Sequence, residues 1–250
     1  MGLLQPHERH RRRDGQAALT DAGESWLAAL LRSSAAAGSR LALWAAFVAD
    51  RGLEDLLEVG VWRGEFAAHL LRRCPAIRRY GLLDPWRHLP DWNKPSNLGD
   101  AEMAAVRREA LENTAFAAGK RELLQGTTLE MAPRIADASL DFIYLDGDHG
   151  LRGILHDLLA LWPKLRPGGF LAGDDLFLDP WHHGPRYEPT LVWPLVHHFA
   201  EAAGATLVAL PFRQYLLRRP PAQGPGDAAA AFRFLDTTGL YVDRSLARLR

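Results

Sequence analysis

Leu56–Leu57–Glu58–Val59–Gly60–Val61–Trp62–Arg63–Gly64 is the stretch that decides the fold. Its first half, Leu56 to Val61, is a short apolar run, as expected of a strand buried on both faces of a parallel sheet. Its second half is a glycine loop, and Phe66 to Arg73 beyond it reads as a helix. A strand, a glycine loop and a helix in that order let a ligand approach the backbone and offer it the helix N-terminus. A dinucleotide site has G-x-G-x-x-G, whose third glycine accommodates a pyrophosphate. Here only Gly60 and Gly64 are present, preceded by the acid Glu58. Taken alone, the stretch also fits a tight strand-to-helix turn with no ligand.

Working outward toward the N-terminus, Leu19 to Arg51 reads as helical, with a break at Ala35–Ala36–Ala37–Gly38–Ser39. Trp26, Leu27, Leu30 and Leu31 recur at helix-face spacing before it, and Leu43, Trp44, Phe47 and Val48 after it. The basic run Arg9 to Arg13 belongs to a solvated arm. Toward the C-terminus, strands are expected at Tyr80–Leu83, Glu122–Gln125, Leu140–Leu145 and Phe170–Ala172, the last primed by a turn at Arg166–Pro167–Gly168–Gly169. Helices are expected at Asp100–Ala118, Leu151–Trp162 and Leu191–Ala203. Thr206–Leu210 and Gln214–Leu217 form an antiparallel closing pair, and a Pro- and Gly-rich loop at Pro220–Gly226 precedes the apolar piece Phe232–Leu235. Alternating strands and helices imply an α/β fold with both sheet faces covered. The expectation is a Rossmann-like three-layer sandwich with a mostly parallel seven-stranded sheet, a terminal antiparallel strand and N-terminal helices. By residue, 1–18 form a mobile basic arm, 19–52 the N-terminal helices and 53–250 the sheet domain.

Two further loops should reach the same edge of that sheet. Asp84 ends the second strand, and an acid about 20 residues beyond the glycine loop is where nucleotide-binding units hold a ribose diol. It could equally be a turn residue before Pro85. Gly126–Thr127–Thr128 follows the third strand and could face an adenine, or Thr128 could cap the next helix.

Together with Asp146-Gly-Asp-His149 and Arg166-Pro-Gly-Gly-Phe-Leu-Ala-Gly-Asp-Asp175, the strings Glu58–Gly64 and Gly81-Leu-Leu-Asp-Pro-Trp86 resemble the class I S-adenosylmethionine (SAM)-dependent methyltransferases. They look most like the small-molecule O-methyltransferases related to macrocin O-methyltransferase and, more distantly, catechol O-methyltransferase. The resemblance spans roughly Leu53 to Leu217. It implies a SAM site made by Glu58, Gly60, Gly64, Asp84, Thr128 and Asp146, with Glu58 near the ammonium of the amino-acid tail and Asp84 on the ribose. The family's metal-dependent members hold Mg²⁺ with one acid after the fourth strand and two adjacent residues after the fifth, so the resemblance implies Asp146, Asp174 and Asp175 as ligands. Such a hard ion prefers oxygen donors and acidifies a bound hydroxyl. The alternative is that Asp146 and Asp148 cap a helix and Asp174–Asp175 form a turn. His149 stands where the catechol-type enzymes carry a lysine base, and its ordinary pKa suits proton transfer near neutrality. Asp146 and His149 are therefore the expected catalytic pair.

Trp86, His88 and Trp92 after the second strand, and Trp181, His182, His183 and Tyr187 after the fifth, should overhang this edge and meet a small-molecule acceptor or another subunit. His182–His183 is no zinc motif without further ligands. The formal net charge is zero, which argues against a nucleic-acid partner. No apolar run reaches the roughly 18 residues of a membrane span. The single cysteine, Cys74, excludes an intrachain disulfide and permits a reducing, cytoplasmic setting. A nicotinamide oxidoreductase is disfavoured by the missing third glycine, and a non-catalytic SAM-binding protein by the Asp146/His149/Asp174/Asp175 set. Trp-rich loops make a homodimer a reasonable expectation.

Overall fold

The computed structural model describes residues 26–222 and 231–241. The expected basic arm, 1–18, lies outside them. Helix α1 covers 26–36 of the described chain, and α2 is Arg40–Asp50. There follow β1 (Asp55–Val59), α3 (Glu65–Arg73), β2 (Arg79–Asp84), α4 (Asp100–Asn113), β3 (Arg121–Gln125), α5 (Thr128–Met131), β4 (Leu140–Leu145) and α6 (Leu151–Leu161). The chain continues through β5 (Leu165–Gly173), α7 (Val192–Ala202), β6 (Thr206–Leu210), β7 (Gln214–Arg218) and β8 (Arg233–Asp236). One sheet runs in the order β3-β2-β1-β4-β5-β7-β6-β8. It is parallel from β3 to β5, and β7 pairs antiparallel with both β5 and β6.

The α/β sandwich and the antiparallel closing pair agree with the expectation, and two details differ. The sheet gains an eighth strand, because the apolar piece around Phe234 pairs in parallel with β6. The expected turn at Arg166–Gly169 is instead a bulge inside β5, where the register against β4 slips between Leu140 and Phe142. Gly168, with φ of +81°, provides the kink.

Strand alternation divides the core between the two faces. Leu56, Phe142, Tyr144 and Phe170 face α1 to α4 and pack with Trp26, Trp44, Phe47 and Phe66. Leu57, Val59, Ile143, Leu145 and Leu171 face α6 and α7 and pack with Ile154, Leu158, Val192 and Val196. Helices α1 and α2 thus share the core of the sheet. Among the described residues, no helix is long and apolar enough to cross a membrane. Register sets the location of any site: Val59 is level with Leu83 and Leu145, and Leu145 with Gly173. The residues that follow, Gly60, Asp84, Asp146 and Asp174, therefore share one carboxyl edge, where open α/β sheets bind ligands.

Candidate active site

Gly60 adopts φ of +81° and sits so close to Asp146 that a Cβ would collide with its backbone carbonyl. The glycine is required by the approach of the β1 end to the β4 end, rather than by the space of a ligand alone. Gly64 also has positive φ, +74°, and lies against Ala110 of α4. Asp84 is buried and holds the glycine loop: its carboxylate accepts from the backbone N–H of Trp62 at 2.9 Å and of Trp86 at 2.8 Å. Burial pushes its carboxyl up to about 6, against the pull of those N–H groups and that of Val61. Trp62 and Trp86 both take left-handed conformations, φ +52° and +41°, and the Trp86 indole donates to the Trp62 carbonyl at 2.9 Å. Strain of this kind persists where surrounding contacts enforce it, commonly at ligand sites.

Glu58 faces the α2–α3 side and is 2% exposed. The Tyr80 hydroxyl donates to it at 2.7 Å. Burial, opposed by that hydrogen bond, pushes its carboxyl up to about 8. Thr128 is buried and hydrogen-bonds Asp157 of α6. The capping role falls instead to Thr127, whose N–H donates to Glu130 at 2.8 Å.

The structure does not bring Asp146, Asp174 and Asp175 into one ligand set. Arg40, the first residue of α2, inserts its guanidinium between Asp146 (2.7 Å) and Asp174, and also donates to the Tyr144 hydroxyl at 3.2 Å. Gln214, fully buried at the start of β7, completes this network. It donates to Asp174 at 2.6 Å and accepts from the Trp44 indole at 2.7 Å and from Tyr144 at 2.8 Å. Burial and the charge of Asp174 push Asp146 upward while Arg40 opposes them. The guanidinium answers the mutual repulsion of the two acids that magnesium was expected to answer. Neither Asp146 nor Asp148 caps the helix: Gly150 is the N-cap of α6 without a side-chain cap bond, and Asp148 accepts from the Gly150 N–H at 2.8 Å in the turn before it.

Asp175 turns the other way, with φ of +58°. Its carboxylate accepts from Nδ1 of buried His149 at 2.8 Å, and Nε2 of His182 lies 3.4 Å from it. Burial opposes its charge, yet the His149 hydrogen bond and the nearby histidines hold it at about 2. Burial likewise disfavours a charged His149, but Asp175, then Asp146 and Asp174, outweigh it and raise its pKa. In the neutral imidazole, donation from Nδ1 leaves the Nε2 lone pair free. That nitrogen is buried without a hydrogen-bond partner, 3.9 Å from Asp146. The loops after β2 and β5 join above this corner: Lys94 donates to the Glu188 carbonyl at 2.7 Å and Asn93 to that of Arg186 at 2.9 Å.

Arg40, Tyr144 and Gln214 were not anticipated as site residues. One signal for Arg40 was available: a cation in the first turn opposes the helix dipole, which favours acids there.

A glycine loop, an acid closing the second strand and a polar cluster at the ends of the fourth and fifth stand together at one carboxyl edge of a Rossmann-like α/β sheet. Residues 57–176 match the family model of a methyltransferase domain. No curated protein matches the chain. Among solved structures, it is similar to an O-methyltransferase family protein from Burkholderia thailandensis, with 16% identity and a TM-score of 0.52, over 87% of this chain and 61% of that one. The chain therefore spans less than two thirds of that protein's length. It is also similar to the O-methyltransferase TomG from Streptomyces achromogenes, involved in tomaymycin synthesis and solved in complex with SAM. That likeness has 17% identity and a TM-score of 0.51, over 78% of this chain and 90% of that one. At these identities the likeness is one of fold.

Proposed function

We propose that the protein methylates a hydroxyl of a small-molecule acceptor, with His149 as the base. The observation that carries this reading is the His149–Asp175 pair: Asp175 fixes the imidazole tautomer through Nδ1 and leaves a buried, unpartnered Nε2 at the carboxyl edge. SAM supplies an electrophilic methyl group bound to sulfur. The acceptor oxygen forms the new C–O bond as the C–S bond breaks, S-adenosylhomocysteine (SAH) leaves, and the hydroxyl proton passes to Nε2. The Gly60–Gly64 loop and Asp84 hold the nucleoside end, with Thr128 nearby at the start of α5. Glu58, neutral at pH 7 in the free protein, ionises on meeting the ammonium of the amino-acid tail. Arg40 keeps Asp146 and Asp174 in place beside the reacting atoms.

In this reading Arg40 supplies the positive charge at Asp146 and Asp174. The magnesium-assisted form of the reaction requires Arg40 to leave and Asp175 to turn back from His149, so it is the second reading. A buried Cys74 suits a reducing, cytoplasmic setting. Calorimetry with SAH tests the cofactor site. Binding that weakens in Asp84→Ala supports it, and no binding by the folded protein at millimolar SAH contradicts it.

A further inference from the structure

Among the described residues, Asp175, His182 and His183 each offer one ligand atom, and these atoms all lie within 4.8 Å of one another. We propose that these three residues bind a divalent transition ion of the nitrogen-preferring kind, with zinc as the reference. Imidazole and carboxylate donors on a small centre are zinc chemistry rather than magnesium chemistry. In a tetrahedral site, ligand atoms about 2.0–2.1 Å from the ion stand about 3.3–3.4 Å apart, so a grouping within 4.8 Å closes on an ion with separations shortening by up to about 1.5 Å.

A second observation is independent of that spacing. Both ring nitrogens of His182 are buried and make no hydrogen bond, although its side chain is only 13% exposed. An imidazole with neither nitrogen satisfied is a costly thing to bury unless something outside the protein takes a lone pair. His182 is held in place by stacking on Phe177, with ring centroids 3.9 Å apart, and by His183 at 4.0 Å. Asp175 is oriented by His149, as metal-bound carboxylates are oriented by hydrogen-bonding neighbours. Three protein ligands leave a tetrahedral ion one open position.

The other grouping of this kind, His197, His198 and Glu201 on α7, lacks these features. His198 and Glu201 are 75% and 65% exposed, and the His197 ring packs among Phe232, Phe234 and Trp193. Binding at Asp175, His182 and His183 does not depend on methyl transfer. Only the part the ion plays there, taking the acceptor hydroxyl as its fourth ligand next to His149, rests on the proposed reaction.

The test is a cobalt titration of the full-length protein after chelation, followed by visible absorption. The expected result is one Co²⁺ per chain with the intense d–d bands of a four-coordinate site, lost on adding Zn²⁺. His182→Ala and His183→Ala should each weaken binding at least tenfold, and His198→Ala should leave it unchanged. His183 is exposed, so its variant remains informative if His182→Ala fails to fold. Three results overturn the proposal: no cobalt spectrum, binding indifferent to His183→Ala, or binding lost in His198→Ala. SAH calorimetry on the same samples separates the two readings. SAH binding without cobalt removes only the ion site, and cobalt binding without SAH removes only the methyl-transfer site.

Discussion

Asp174 and Asp175 are neighbours in the chain and belong to different sites. Asp174 faces Arg40 and Gln214, and its network is closed: guanidinium, two carboxylates, amide and phenol satisfy one another. Asp175, rotated by its left-handed backbone, faces His149 and His182, where three buried ring nitrogens remain without partners. One side has its own cation. The other has unused lone pairs at the mouth of the sheet, where chemistry is possible. Adjacent acids are therefore a poor guide to a shared ligand until the backbone between them is known.

The largest effect should come from the open side. His149→Ala should lower the methylation rate about 10²- to 10⁴-fold, the usual range for a general base, with partial rescue by added imidazole. A full-rate variant would move the base elsewhere. Asp84→Ala removes a charged acceptor and should weaken SAH binding about ten- to a hundredfold by calorimetry, or about 1.5–3 kcal/mol. An unchanged affinity would leave Asp84 only its loop-holding role.

Glu58 gives a smaller, pH-dependent effect. It faces Tyr80 on β2, Asp146 after β4, Arg40 on α2 and Asp84 after β2, and it is protonated below about 8 in the free protein. An ammonium ligand needs the ionised form, so binding releases a proton. SAH affinity should therefore rise as pH rises toward 8, by up to about tenfold per pH unit, and level off above it. Calorimetry in buffers of different ionisation enthalpy measures that proton directly, and no release would detach Glu58 from the ligand.

The closed side should show itself mainly in stability and ion binding. Arg40→Ala leaves two carboxylates facing each other. Its cost should be about 1–3 kcal/mol in a denaturant titration, between values for exposed and buried pairs, because Arg40 is itself 38% exposed. The same variant should bind Mg²⁺ more tightly than the wild type. An Arg40→Ala protein as stable as wild type would show that the bridge carries little.

The sheet was legible because apolar runs and glycine loops are local signals, and so was the edge that carries Gly60, Asp84, Asp146 and His149. What escaped was non-local. Arg40 meets Asp146 only after α2 has folded onto the sheet, and nothing in the Arg40–Asp50 sequence names its partner. Gln214 reads as the first residue of a strand, yet it is the amide that joins α2 to β5. β8 escaped because only four residues pair, none of them buried. The divergence of Asp174 and Asp175 depends on one φ angle, which composition does not encode.

A structure of the full-length protein with SAH, grown in the presence of Mg²⁺, tests the contrast most directly. The expected result is SAH against the Gly60–Gly64 loop and Asp84, with Arg40 still between Asp146 and Asp174 and no magnesium there. Magnesium bound by Asp146, Asp174 and Asp175, with Arg40 displaced and Asp175 turned away from His149, would contradict it.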